Sequence, residues 1–212
     1  MKNRVYVAIE LFVLFVLLPL SLLLGYSFWI KSVIIIFSFI YILFVLLRIE
    51  KSSIRPKNKL DWKPFWKRML ILFPIVVLVT TSFVLVADPD NLFCVVIHKP
   101  KLWLMILLIY TLLSVWPQEL VYRTFFFKRY EIFFQNRKIF LFINAIIFSL
   151  GHLFFRNTLV IVLTFIGGLF FAFTFDRSRS TLLVSIEHAL YGSWLFTVGM
   201  GEMLAFPGME SC

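Results

Sequence analysis

Five ionisable side chains interrupt the apolar runs in the second half of the chain: Glu119 and Arg123, then His152, then the neighbours Glu187 and His188. An ionisable group at bilayer depth costs at least about 2.5–3.5 kcal/mol on insertion scales, so each is a functional candidate by default. Glu119 and Arg123 stand four apart, on one helix face, and can neutralise each other where the dielectric is low. Taken alone, they read equally well as an internal ion pair holding helices together. Pro117 removes a backbone donor just before them, so a kink is expected there. His152 follows Phe148 by four residues, and a lone histidine in such a place more often bonds across a helix interface than reacts. Glu187 and His188, followed by Tyr191, Gly192 and Ser193, put a second histidine on another helix. A glutamate with two histidines suits hydrolysis: the carboxylate can take a proton from water, and a histidine can orient the water or donate to an oxyanion. The same types could hold a divalent metal such as zinc, because His₂Glu is a catalytic zinc set, but no HExxH helix supports it. Glu10 and Glu202 are weaker cases, expected near an interface.

The elements that must carry these residues are membrane spans. Of 212 residues, 61% are hydrophobic and 15% charged, more apolar surface than a soluble domain could hide. The expected fold class is all-α, a multi-pass transmembrane bundle. Crossing the hydrocarbon takes about 20 apolar residues. By that measure about seven spans are expected, at 5–25, 28–48, 69–87, 102–127, 138–156, 158–176 and 181–206. The last is the least regular, because Gly199, Gly201 and Glu202 interrupt it. With 27 Phe against 8 Gly, lipid-facing helices are expected rather than a close-packed bundle of small residues. The expected organisation is an N-terminal set of helices over 1–100 with a basic cytoplasmic loop at 48–68, a core over 101–206, and a short tail at 207–212.

The basic residues orient the spans. With a cytoplasmic N-terminus, sixteen Lys and Arg fall on one side and four on the other, a strong positive-inside asymmetry. This accounts for the net charge of +10 without a nucleic acid partner. Leu60–Lys67, with Trp62, Phe65 and Trp66 among lysines, reads as an interfacial stretch on the anionic leaflet. At 1.5 Å per residue, Glu119 and His188 lie roughly 13 and 12 Å from the cytoplasmic ends of their helices, and His152 roughly 21 Å.

In this order and on successive spans, Gln118-Glu119-x-x-x-Arg123, Phe148-x-x-x-His152 and Glu187-His188 resemble the CPBP family of intramembrane proteases. These are the bacterial relatives of the type II CAAX prenyl endopeptidase, also called the Abi family. The resemblance covers roughly residues 100–205. The family's pattern is Glu-Glu-x-x-x-Arg, Phe-x-x-x-His and His-x-x-x-Asn or a variant. The resemblance implies that a glutamate and His152 activate water, that His188 serves the oxyanion, and that Arg123 keeps the acidic motif in place. Two positions depart from the pattern. Gln118 stands where the first glutamate belongs, and neighbouring helix residues point about 100° apart, so Glu119 is not an automatic substitute. Local unwinding at Pro117 would turn Glu119 inward; otherwise Glu187 is the candidate base, or hydrolysis is lost. Gly192 stands where the asparagine belongs, with Ser193 or Tyr191 as replacement donors.

The implied function is an intramembrane endopeptidase of the cell membrane, cutting a membrane-anchored or lipid-modified protein. One alternative is a catalytically inactive relative, acting as a membrane accessory or immunity-type protein. Another is a small transporter or haem anchor with His152 and His188 as ligands, although inverted repeats are missing.

Overall fold

The computed structural model describes residues 3–51 and 60–204. The expected tail at 207–212 lies outside the described residues, as do Lys2 and residues 52–59 of the 48–68 loop, including Arg55, Lys57 and Lys59.

Among the described residues all regular structure is helical. Six helices are long and apolar enough to cross a membrane: α1 (Arg4–Ser21), α2 (Phe28–Ile49), α3 (Trp62–Ala87), α4 (Pro100–Phe133), α5 (Arg137–Phe155) and α6 (Thr158–Ser178). A seventh helix, α7 (Thr181–Val198), carries Glu187 and His188 and is more polar than these six. The chain is a multi-pass α-helical membrane protein. Four of its helices begin where the sequence supplies a capping side chain. Asn3, Asn136, Asn157 and Ser180 each accept from backbone N–H groups in the first turn of α1, α5, α6 and α7. A span can leave no end donor bare, so these caps matter more here than in water. Gly199, at φ +109, ends α7 in a conformation that costs glycine nothing.

One boundary differs from expectation. α3 begins at Trp62, so the aromatic and lysine-rich stretch forms the first turns of a span rather than a separate interfacial segment. Phe65 and Met69, one turn apart, are buried there, while Trp62 and Trp66 stay exposed.

The chain divides into two compact units, Met1–Pro56 with Leu120–Arg179, and Lys57–Glu119 with Ser180–Cys212. The first unit is made of α1, α2, the second half of α4, α5 and α6. Phe15, Phe125, Phe126, Phe127, Phe140 and Phe148 are almost wholly buried in it, so phenylalanine fills an interior as well as facing lipid. They meet edge to face, as Phe15 does with Phe126 at 5.3 Å and Phe127 with Phe140 at 4.7 Å, or stacked, as Phe15 does with Phe125 at 6.3 Å. Glu10, expected near an interface, is instead buried and fully engaged. Arg129 donates to both its oxygens at 2.8 and 3.0 Å, Tyr130 donates at 2.9 Å and Tyr41 at 2.6 Å. The remaining arm of Arg129 reaches Glu50 at 2.8 Å.

The second unit contains α3, the first half of α4, and α7. Trp194 of α7 donates to Thr80 of α3 at 2.9 Å, and Trp103 of α4 donates to Thr197 of α7 at 3.1 Å. Burial separates anchoring helices from core helices: 17% of the apolar window is buried in α2 and in α3, against 39% in α5.

Candidate active site

The site begins with an irregularity in α4. Pro117 cannot donate, and its ring crowds the carbonyl one turn back. The expected kink takes the form of two wide turns, with π winding over Tyr110–Val115 and again over Leu120–Phe125. A turn closed from i to i+5 holds one residue more than a turn closed from i to i+4. Every residue after the first wide turn therefore takes the face that its predecessor would hold in an unbroken α-helix. Glu119 thus stands where α winding would have put Gln118.

The side chains agree with that shift. Glu119 is completely buried, and its Oε1 lies 2.7 Å from Nδ1 of His188 on α7. Gln118 is half-buried, and its Nε2 donates to Ser114 at 2.8 Å. A carboxylate offers no proton, so the Glu119 bond to His188 is one in which Nδ1–H donates. The preceding residue on α7, Glu187, is also fully buried, but a guanidinium holds it. Arg68 of α3 forms a salt bridge to Glu187 Oε1, and Tyr191 donates to the same oxygen at 3.2 Å. Glu187 is therefore an ionic anchor between α7 and α3, a poor position for a base. Ser193 is half-buried, and its carbonyl accepts from Thr197 at 2.7 Å.

Arg123 and His152 belong to the first unit. Arg123 is completely buried; it donates to Asn144 Oδ1 at 2.9 Å and lies over the Phe148 ring at 4.7 Å. The Tyr122 carbonyl lies in the second wide turn, where the regular α ladder is interrupted. It accepts from Asn144 Nδ2 at 2.7 Å and from Arg123 at 3.3 Å. Asn144 and Arg123 thus pin the wide turn that follows Glu119 in the chain. His152 lies just beyond the α-helical part of α5, which ends at Leu150, rather than inside a helix. Its Nδ1 is 2.8 Å from the Phe148 carbonyl, which can only accept, so Nδ1 carries a proton.

Three residues that the sequence reading passed over matter here. Arg68 counted only as a loop charge. Asn144 is a polar side chain inside an apolar span, a mark that could have singled it out. Tyr110 packs edge-on against His188 at 6.0 Å and sits where any side chain at Gly192 would have to go. Among the described residues no group of three or more His, Cys, Asp or Glu is placed to hold a metal ion.

Residues 100–194 match the family model described as Type II CAAX prenyl endopeptidase Rce1-like. The match spans α4, α5, α6 and most of α7, and bears out the resemblance read from the order of the motifs. That family is one of proteases. No curated protein matches the chain, and no solved structure does.

Proposed function

We propose that this protein is an intramembrane endopeptidase that hydrolyses a peptide bond of a membrane-anchored or lipid-modified protein. Glu119 acts as base toward water, and His188 as donor to the oxyanion. The observation that carries this reading is the buried hydrogen bond between Glu119 and His188 at 2.7 Å, inside the segment that matches a protease family.

Glu119 as carboxylate and His188 as imidazolium form a neutral pair, the form a low-dielectric interior tolerates best. Nε2–H of His188 is then a charged donor, and charge-assisted hydrogen bonds are roughly twice as strong as neutral ones. As water adds to the scissile carbonyl carbon, Glu119 takes a water proton and the carbonyl oxygen becomes negative. The pair gains one positive charge as the oxyanion gains one negative charge, so no net charge builds up in the buried site. Collapse re-forms the carbonyl and breaks the C–N bond, and Glu119 returns its proton to the leaving amine. Exclusion of bulk water strengthens each of these interactions.

The remaining roles follow the family resemblance. His152 orients the water; Arg123, with Phe148 beneath it, steadies the acidic motif. The distribution of Lys and Arg supports a cytoplasmic N-terminus in the cell membrane.

The test is cleavage of a membrane-tethered peptide by purified protein in liposomes. Glu119→Gln keeps the shape and a hydrogen bond to His188 but removes the base, and should lower kcat by about 10²–10⁴-fold. His152→Ala should lower it as well. Turnover that survives both changes would sink the assignment, whereas function in cells that survives replacement of both histidines by alanine would favour a non-catalytic accessory protein.

A further inference from the structure

Gly192 stands one helical turn after His188, on the same face of α7. In the pattern that this segment resembles, that position supplies a second donor beside the histidine, and glycine has none to give. The structure shows what occupies the place. A Cβ built on Gly192 would coincide with the hydroxyl of Tyr110, with the ring carbons that bear it next nearest. Tyr110 opens the first wide turn of α4, and its ring packs edge-on against His188 and, at 4.9 Å, against Phe196.

On the reading that Glu119 and His188 perform hydrolysis, we infer that the Tyr110 hydroxyl is the second donor to the oxyanion, delivered from α4 into the space that Gly192 leaves open. Tyr110 donates a hydrogen bond and keeps its proton, so the proton transfers given above are unchanged. Tyr110 and Gly192 then form one arrangement, because the phenol needs glycine at 192 and the glycine needs a donor from elsewhere. Neither replacement considered from sequence is as well placed. The Tyr191 hydroxyl donates to Glu187, and Ser193, five residues after His188, points about 140° away from it around α7. The plainer role for Tyr110 is apolar packing, since Val95, Ile106, Val115 and Phe196 surround it. Phenylalanine would preserve that packing, and this separates the two roles.

The experiment compares wild type, Glu119→Gln, Tyr110→Phe, Tyr110→Ala and Tyr110→Ala/Gly192→Asn in the liposome cleavage assay. Binding of a phosphinate peptide, an analogue of the tetrahedral intermediate, is measured alongside. Tyr110→Phe should lower kcat about 10²-fold, with KM and unfolding temperature near wild type, and should weaken phosphinate binding in proportion. The double variant should recover part of the turnover that Tyr110→Ala loses, because asparagine then has room to donate. Full turnover by Tyr110→Phe while Glu119→Gln is inactive overturns the role of Tyr110 and leaves the hydrolytic reading standing. Absence of cleavage by wild type overturns both.

Discussion

Glu10 and Glu119 are carboxylates buried in different units of one membrane protein, and they are held in opposite ways. Glu10 receives both sides of the Arg129 fork and two tyrosine hydroxyls. Arginine keeps its proton in proteins, so Glu10 is locked as a charge and has nothing to exchange. Glu119 faces His188 at 2.7 Å, a ring whose nitrogens can both give and accept a proton. A carboxylate saturated by a permanent cation is a structural bolt, whereas one paired with a titratable ring can take up and return a proton. Burial does not separate the two, since both are almost inaccessible; the identity of the partner does.

The sharpest way to break this comparison is Arg129→Met, which has the largest expected effect on stability. It leaves Glu10 and Glu50 buried without their cation, and breaking a buried pair from one side costs about 3–5 kcal/mol. Thermal unfolding in detergent should show that loss, while turnover per folded molecule stays near wild type. Adding Glu10→Gln should restore part of the stability, because the stranded charge is gone. Glu119→Gln should behave in the reverse way, with turnover lost and the unfolding temperature nearly kept. Equal effects of the two changes on both measurements would erase the distinction.

The sequence made some of this legible for physical reasons. Span positions follow from apolar length, and six helices lie close to where the runs predict them. α3 starts early because lysines and tryptophans at its beginning look like loop, although Phe65 and Met69 already fall one turn apart. Equal depth pointed to Glu119 and His188 as neighbours, since depth depends only on rise per residue. The partnership of Glu10 with Arg129 was not legible: 119 residues separate them, and each looked like an end-of-helix charge. The wide turns of α4 were legible only as trouble near Pro117. A change from i+4 to i+5 bonding leaves little trace in composition, yet it decides which side chain faces His188. Tyr110 was hidden for a related reason, as a tyrosine in an apolar run reads as core.

Arg123 sharpens the comparison from the middle. It is a buried permanent cation like Arg129, but it bonds to Asn144 and to the carbonyl of the wide turn after Glu119. Arg123→Lys keeps the charge and loses the planar fork and its stacking over Phe148. The expected cost is about 1–2 kcal/mol of stability. Turnover should also fall roughly tenfold, equal to about 1.4 kcal/mol of barrier, because the turn it pins is next to the base. If only stability falls, Arg123 belongs with Arg129, and the acidic motif positions itself without it.

The smallest expected effect comes from restoring the glutamate that the family's pattern places at position 118. If residue number alone decided function, Gln118→Glu would supply the missing base and raise turnover by orders of magnitude. The wide turn over Tyr110–Val115 argues otherwise, because it has already advanced Glu119 onto the working face. Gln118 is half-buried beside Ser114, and its buried Oε1 has no hydrogen-bond partner among the described residues. A glutamate there could accept from the Ser114 hydroxyl, and the cost of a carboxylate at that depth falls on folding rather than on turnover per folded molecule. Turnover of Gln118→Glu should therefore stay within about 0.5 kcal/mol of wild type, roughly a factor of two. The double variant Gln118→Glu/Glu119→Gln should remain as inactive as Glu119→Gln alone. Recovery in that double variant would mean that position 118 reaches the reacting water, and that the extra residue in the wide turn does not set the face of α4.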